Sequence, residues 1–180
     1  MRIERSNFHI LTGGPGAGKT TVLEALRARG YSCTDEAARR ILKEQAASGG
    51  NATHDGDRVR YRDLMLEQGV RDFHAVGQTS SPVFFDRGIP ELSGYPSGAE
   101  DPPTLTAAIA ECRYNQTVFL FPPWEAIYRH DEERKHTFEH AVAVDALIRE
   151  VYPKFGYDIA DVPRALVEER VQFILGRVAK

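Results

Sequence analysis

The residue pattern with the clearest chemical meaning lies near the start of the chain, where an apolar run gives way to glycines. Gly13, Gly18, Lys19 and Thr20 have the spacing of the P-loop template, G-x-x-x-x-G-K-[ST]. Glycines let backbone N–H groups turn inward around an anion, and a helix beginning near Gly18 would direct its positive end at the same anion. This segment, residues 13–20, is called the phosphate loop because the pattern predicts that it binds phosphate.

The positions of this segment have expected parts in binding a nucleotide. Lys19 is expected to contact the β- and γ-phosphates, the Thr20 hydroxyl to bind Mg²⁺, and Thr21 to contact phosphate. A glycine- and proline-rich turn that binds nothing is the alternative, but the flanking strand and amphipathic helix favour binding. ATP and Mg²⁺ are therefore predicted, with nucleotide contacts from Gly13, Gly14, Pro15, Gly16, Ala17, Gly18, Lys19, Thr20 and Thr21.

A carboxylate and a guanidinium group follow the third predicted strand. Asp86 comes directly after Val83-Phe84-Phe85, so it should emerge beside the phosphate loop and hold the metal together with Thr20. Capping the next helix is the alternative role for Asp86. Arg87 is suited to binding phosphate or orienting a substrate, or alternatively to a surface ion pair.

Two further carboxylates, Asp35 and Glu36, end the second predicted strand. Either could accept a proton from a substrate hydroxyl that attacks the γ-phosphoryl group, or bind Mg²⁺ through water. Glu36 is the preferred base, whereas Asp35 as a helix N-cap and Glu36 as an ordinary acid of the first helical turn is the alternative. The pattern leaves open which of Asp35, Glu36 and Asp86 is the base.

A charged cluster follows the fourth predicted strand, in FPPWEAIYRHDEERKHTFEH. Cations on a closing lid can neutralise the charge that develops in phosphoryl transfer, so Arg129, Arg134 and Lys135 are expected on such a lid. A solvated helix face is the alternative. His136 and His140 share a helical face, but the sequence offers no third ligand with a spacing suited to zinc.

The elements that position these residues alternate between short apolar runs and longer amphipathic ones, which is typical of βαβ units. Gly30 is predicted to end the first helix, Asp35 to cap the second, and Asp101 to cap a helix beginning at Pro102. The five predicted strands are Asn7–Thr12, Tyr31–Thr34, Pro82–Asp86, Thr117–Phe121 and Tyr157–Asp161.

Composition narrows the class of protein. A length of 180 residues suits one compact domain, predicted over residues 1–180. The net charge of -3 gives no bulk attraction to nucleic acid or to an anionic membrane, which favours a small-molecule partner. Cys33 and Cys112 lie far apart and no window is apolar enough to span a membrane, so a cytoplasmic protein is predicted.

Taken together, these segments resemble a known family. HILTGGPGAGKTT, DEAARRIL, VFFDRGIPE, FLFPPWEAIYRHDEERKHTFE and GYDIADVP are similar to segments of AAA-like predicted ATPases, small P-loop proteins related to the ribosylnicotinamide kinase domain and to nucleoside and thymidylate kinases. The resemblance implies a three-layer α/β P-loop NTPase fold with helices on both faces of a five-stranded parallel sheet, strand order 2-3-1-4-5, and a lid over residues 122–136. It also implies that Val162-Pro163 lie near the adenine and that Glu36, Asp86 and Arg87 face the phosphoryl acceptor.

Three functions are compatible with these features. An ATP-dependent kinase that phosphorylates a hydroxyl of a nucleoside-like or other compact metabolite is favoured. A P-loop hydrolase is second: motor ATPases of the AAA kind resemble one another in having Glu after the strand-end Asp, where this chain has Arg87, and the chain lacks the [NT]KxD guanine reader of GTP switches. A non-catalytic nucleotide-binding module is third, because it would not need Lys19, Thr20 and Asp86 together.

The predicted site combines these assignments. The expected catalytic residues are Lys19, Glu36, Asp86, Arg87 and Arg134, with further nucleotide contacts from Arg129 and Pro163. The expected partner is a small-molecule acceptor, without nucleic acid or membrane. The identity of that acceptor and the choice between ATP and GTP stay open.

Overall fold

The computed structural model describes residues 2–128 and 137–178. Its main sheet is formed by β2 (Phe8–Gly13), β3 (Ser32–Cys33), β4 (Val83–Asp86), β6 (Thr117–Phe121) and β7 (Asp158–Asp161). All neighbouring strands are parallel, in the order β3-β4-β2-β6-β7. Counted along the chain, these are the five predicted strands in the order 2-3-1-4-5, and the predicted α/β fold class is confirmed.

A second, two-stranded parallel sheet was not predicted. It pairs β1 (Ile3–Glu4) with β5 (Cys112–Arg113), with Ile3 opposite Cys112. β1 and β5 are only two residues long, too short for a repeating pattern to mark them. The pair lies apart from the strand ends that bear the predicted site residues.

Helices cover both faces of the main sheet. Within the described ranges they are α1 (Lys19–Ala28), α2 (Ala37–Ser48), α3 (Arg58–Ala75), α4 (Pro103–Glu111), α5 (Phe138–Lys154) and α6 (Val167–Val178). Successive strand residues point to opposite faces. Ile10 accordingly belongs to the core cluster that includes residues of α3, α4 and α5, whereas Leu11 belongs to the cluster with α1 and α6. Burial on both faces explains why these strands are continuous apolar runs.

Two helix-cap predictions were wrong. Pro102, not Asp101, is the N-cap of α4, because the residue before a proline disfavours helical backbone and Pro103 follows it. Asp101 instead accepts hydrogen bonds from Ser93 Oγ and Gly94 N, at 2.6 and 2.9 Å. The N-cap of α2 is Glu36 rather than Asp35, whose carboxylate pairs with an arginine of α1.

The end of α1 agrees with the sequence prediction, whereas the helix α3 was not predicted. Gly30 follows the end of α1 with a φ of 87° and donates its N–H to the Arg27 carbonyl, so its predicted role in ending the helix is confirmed. α3 was not predicted, because charged residues interrupt its apolar stripe, and one of them, Arg62, is buried beside Asp63. No helix in residues 2–128 and 137–178 is long and apolar enough to cross a bilayer.

Candidate functional site

The phosphate loop connects the carboxyl end of β2 to the first turn of α1. A Cβ atom at Gly13 would lie 2.5 Å from the carbonyl oxygen of Phe121, so the close approach of β2 to β6 requires glycine there. Gly18 is the N-cap of α1 and has a left-handed φ of 80°. A Cβ at Gly18 would lie 2.6 Å from Nη1 of Arg170. The spacing of these glycines therefore reflects two tightly occupied backbone positions.

Lys19 and Asp86 are in direct contact beside this loop. Lys19 Nζ lies 2.7 Å from Asp86 Oδ1, and the two side chains are only 8% and 6% exposed. The pairing follows from the sheet, because Asp86 is opposite Leu11 on the neighbouring strand, two residues before the loop. The backbone N–H of Asp86 also donates to Thr34 Oγ1, at 3.1 Å. The two residues that were predicted to bind phosphate and metal thus neutralise each other in this structure.

The other predicted nucleotide-binding residues surround the start of α1. Thr20 and Thr21 are exposed in its first turn, where backbone N–H groups lack intrahelical partners. Pro163 is exposed between β7 and α6, and its neighbour Val162 belongs to the same core cluster as Ala17 of the loop. The predicted lid residues Arg129, Arg134, Lys135 and His136 lie outside the described residues.

A buried ionic network follows β4. Arg87 Nη1 donates to Glu91 Oε2 at 2.9 Å, and Arg87 Nε lies 3.7 Å from Glu36 Oε1. Tyr152 Oη of α5 donates to the other oxygen of Glu91 at 2.7 Å. The Glu36 and Glu91 side chains are 10% and 9% exposed. Arg87 therefore joins a carboxylate from each side of the strand end.

Ionisation within this network follows from burial and charge. Burial alone would lower the pKa of Arg87, but Glu91, Glu36 and Asp86 outweigh it, so that pKa is raised. Burial, followed by the charge of Glu91, raises the pKa of Tyr152 well above its usual value. Tyr152 thus keeps its proton and donates it in the hydrogen bond to Glu91.

The backbone at Arg87 is unusual. Arg87 has a φ of 74°, and no other non-glycine residue in the described ranges has a positive φ. Its backbone N–H donates to the Leu11 carbonyl at 3.0 Å, which holds the residue beside β2. Such backbone strain is found most often where a side chain must be held for function. Arg87 does form ion pairs, with Glu36 and Glu91, but its side chain is only 25% exposed, so they are not pairs of the open surface.

A cavity of about 460 Å³ opens at the carboxyl ends of β3 and β4. We call it the strand-end cavity. Pro15 of the phosphate loop and Asp86 line it together with Glu36 and Arg87, so the loop and the ionic network border one space. Its apolar wall includes Leu42, Tyr61, Met65, Phe85, Ile89, Leu92, Tyr95, Tyr114 and Val144. Its size is within the range of about 300–1,000 Å³ that is usual for small-molecule sites.

Carboxylates outnumber cations around this cavity. Its wall carries Asp35, Glu36, Asp55, Asp72, Asp86 and Glu91, against the guanidinium groups of Arg58 and Arg87. The side chain of Asp35 is 89% exposed and pairs with Arg27 at 2.6 Å, on the side of α1. Of the two acids that follow β3, Glu36 is therefore the one whose carboxylate is buried beside Arg87.

Sequence patterns missed three residues of this region. Glu91 and Tyr152 come from separate elements and meet only through the fold, so no local spacing marks them as partners. The position of Arg170 could have been recognised from the sequence. It lies three residues after Val167 and four before Ile174, on the apolar stripe of α6, where a charged side chain is out of place.

Comparison with known proteins gives a family and a fold. A family model described as AAA domain matches residues 8–170. A search of curated protein sequences gave no match. Solved structures of deoxyadenosine kinase from M. mycoides are similar to this chain. The structure with dCMP and a flexible dCDP has a TM-score of 0.64 at 16% identity, over 96% of this chain and 98% of that one.

Two further structures of the same enzyme give a similar result. The dATP-bound form has a TM-score of 0.59 at 15% identity, over 96% of this chain and 100% of the other. The dCTP-bound form has a TM-score of 0.56 at 16% identity, over 96% and 98%. At these identities the likeness concerns the fold alone. The chain belongs to the AAA domain family, and the sequence resemblance to small P-loop, kinase-like proteins is confirmed.

Proposed function

We propose that this AAA domain protein is a small-molecule kinase that transfers the γ-phosphoryl group of ATP to a hydroxyl of a nucleoside-like metabolite. The observation that carries the proposal is the shared border of the strand-end cavity, which Pro15 of the phosphate loop and the buried Glu36–Arg87 pair line together. A donor phosphate on the loop and an acceptor in the cavity would therefore be adjacent, as direct transfer requires. The similarity of fold to deoxyadenosine kinase supports the same reaction class.

The donor side has groups suited to a nucleotide with its metal ion. The Lys19 ammonium and the start of α1 supply positive charge for the phosphates, and the Thr20 hydroxyl and Asp86 carboxylate would hold Mg²⁺. Bound there, Mg²⁺ would neutralise charge on the β- and γ-phosphates. Residues 122–136 are proposed as a lid, since the Tyr128 ring already lies against the loop, 2.6 Å from where a Cβ on Gly16 would be.

On the acceptor side, Glu36 is proposed as the base. It accepts the proton of the acceptor hydroxyl, whose oxygen attacks the γ-phosphorus, while the bond from that phosphorus to the β–γ bridging oxygen breaks and ADP leaves. Arg87 holds the Glu36 and Glu91 carboxylates in place. Its guanidinium is also proposed to neutralise charge on the transferring group, because Arg87 lines the same cavity as Pro15 of the phosphate loop.

The cavity favours one class of acceptor. Aromatic side chains in its wall can pack against a planar base, and the excess of carboxylates disfavours an acceptor that already carries phosphate. An uncharged nucleoside therefore fits better than a nucleoside monophosphate. A hydrolase is less well supported, because activation of water does not need a cavity of about 460 Å³.

The free thiols of Cys33 and Cys112 suit the reducing cytoplasm, which we propose as the compartment of this protein.

A screen of nucleosides and related metabolites tests this proposal. ADP release should rise with one class of acceptor, and the product should gain the mass of one phosphate. Release of ADP at the same rate with every compound, and without a phosphorylated product, would instead identify a hydrolase.

Substitution of the proposed base gives a sharper test. Glu36→Gln should lower the rate of transfer by about 10²-fold or more, because the hydroxyl loses its proton acceptor. Glu44→Gln is the matched control, since Glu44 is exposed on α2 beside Arg40 and is not among the residues that line the strand-end cavity, and its rate should be unchanged. Equal losses in both variants, or none in Glu36→Gln, would remove Glu36 from the mechanism.

A further inference from the structure

Arg170 is a buried cation beside the phosphate loop. It is 5% exposed, and its Nε atom has no hydrogen-bond partner. Its Nη1 donates to the Gly18 carbonyl at 3.4 Å, and its guanidinium carbon lies 5.7 Å from the centroid of the Trp124 ring. In residues 2–128 and 137–178 no carboxylate forms an ion pair with it. Desolvation by burial lowers its pKa, as expected of a charge without a counterion.

The position is electrostatically unfavourable for a cation. Gly18 is the N-cap of α1, so Arg170 lies at the positive end of that helix. Lys19, the first residue of α1, adds another charge. The contrast between these two cations is informative, because Lys19 has Asp86 at 2.7 Å whereas Arg170 has no carboxylate among the described residues. A buried charge without a partner is strongly destabilising, so an anion bound beside Arg170 would stabilise the folded protein.

The existing contacts of Arg170 do not replace a counterion. A distance of 3.4 Å is long for an N–H···O hydrogen bond, which is usually about 2.9–3.0 Å. The distance of 5.7 Å to the Trp124 ring is close to the outer limit of a cation–π contact, about 6 Å. The guanidinium group therefore retains donor capacity at the edge of the loop.

We propose that Arg170 binds a phosphate group of the donor nucleotide, in addition to Lys19. The inference deepens the proposed function and rests on it, because it takes the phosphate loop as the donor site. The ligand class is a nucleoside di- or triphosphate. A guanidinium group suits this role because it can donate two parallel hydrogen bonds to one phosphate.

Binding measurements on charge variants test this assignment. In equilibrium dialysis with labelled ADP, Arg170→Met should weaken affinity about 10- to 100-fold, and Arg170→Lys should restore part of it. Arg177→Met is the matched control, because Arg177 lies on the same helix over the Phe173 ring, at 3.6 Å, but is exposed. Its affinity for ADP should be that of the parent protein.

Inorganic triphosphate, used to displace labelled ADP, identifies the part of the nucleotide that Arg170 contacts. Arg170→Met should weaken triphosphate and ADP by the same factor. A loss for ADP alone would mean that Arg170 contacts the nucleoside moiety, and would overturn the assignment to phosphate.

Stability separates ligand binding from a structural role. Without ligand, the Tm of Arg170→Met should equal or exceed that of the parent, because the variant removes a buried charge that no carboxylate of the described residues compensates. A lower Tm with unchanged ADP affinity would overturn the proposal and leave the proposed function standing. Failure of the parent protein to bind either ADP or triphosphate would overturn both.

Discussion

The phosphate loop and the strand-end cavity lie at the same edge of one sheet, but they are assembled from different parts of the chain. The loop is a continuous segment between β2 and α1, and its predicted phosphate contacts come largely from backbone groups. The cavity is lined by Glu36, Arg87, Glu91 and Val144, from positions spread over more than half of the chain. Under the proposed function, the site for a common donor is thus compact in sequence, whereas the site for a particular acceptor is made by the whole fold.

The largest expected effect lies on the donor side. Lys19→Met should lower transfer by about 10³-fold for every acceptor, because the transferring phosphate loses its ammonium contact. Initial rates with two different acceptors measure this. It should also lower stability by about 3–5 kcal/mol, since Asp86 is left buried without its cation.

The double variant Lys19→Met with Asp86→Asn separates these two effects. It should recover the Tm without recovering transfer. Recovery of both would mean that Lys19 acts only by pairing with Asp86.

A smaller effect, confined to the cavity, is expected from Arg87→Met. The variant leaves Glu91 without its ion-pair partner and loosens Glu36, so kcat/KM for the acceptor should fall about 10²-fold. ADP affinity should stay within about twofold of the parent, because the phosphate loop is unaltered. Steady-state kinetics and dialysis measure the two quantities.

Arg60→Met is the control for loss of an arginine from an exposed helix, since it removes only a solvent-exposed pair with Glu67. Both quantities should be unchanged in it. An equal loss of ADP affinity in Arg87→Met would show that the two regions are not separable.

The smallest expected effect concerns β2, which both regions share. His9 is 4% exposed between Phe84 and Phe119, and burial lowers its pKa to about 4. The unfolded chain binds a proton below about pH 6.5, whereas the folded protein resists protonation down to about pH 4. Stability is therefore lost as pH falls through this interval, by about 2 kcal/mol between pH 6.5 and 5.

Denaturant unfolding at pH 7 and pH 5 measures this contribution. His9→Gln should lose less stability over that interval than the parent. An identical pH dependence in the two proteins would assign the effect to other groups. In His9→Gln, the affinities for ADP and for the acceptor should change by the same factor, because β2 supports both regions equally.

Sequence patterns were most informative for features that are determined by residues close together in the chain. The strands, the glycines at 13 and 18, and the position of Asp86 and Arg87 at the end of β4 follow from runs and spacings of neighbouring residues. Strand order came from the resemblance. The short strands β1 and β5 and the helix α3 were missed because their residues show no clear periodicity. The caps at Asp35 and Asp101 were wrong, because an arginine of α1 and an adjacent proline decided them.

The contacts within the site were beyond local patterns for the same reason. The hydrogen bond from Tyr152 to Glu91 joins residues 61 positions apart, and that from Arg170 to Gly18 joins residues 152 positions apart. Lys19 and Asp86 were recognised separately, but their mutual ion pair requires the register of β2 against β4. Residue identities were therefore more predictable than their partners.

The shortness of β3 has a consequence for how this protein could change its substrate. β3 contributes only Ser32 and Cys33 to the edge of the sheet, and Glu36 follows before α2 begins. So few ladder hydrogen bonds make this wall a region of low local stability, where amide hydrogens should exchange early. Substitutions in the wall can therefore reshape the cavity at little cost to the global free energy of unfolding, so the proposed acceptor site can diversify while the proposed nucleotide site stays fixed.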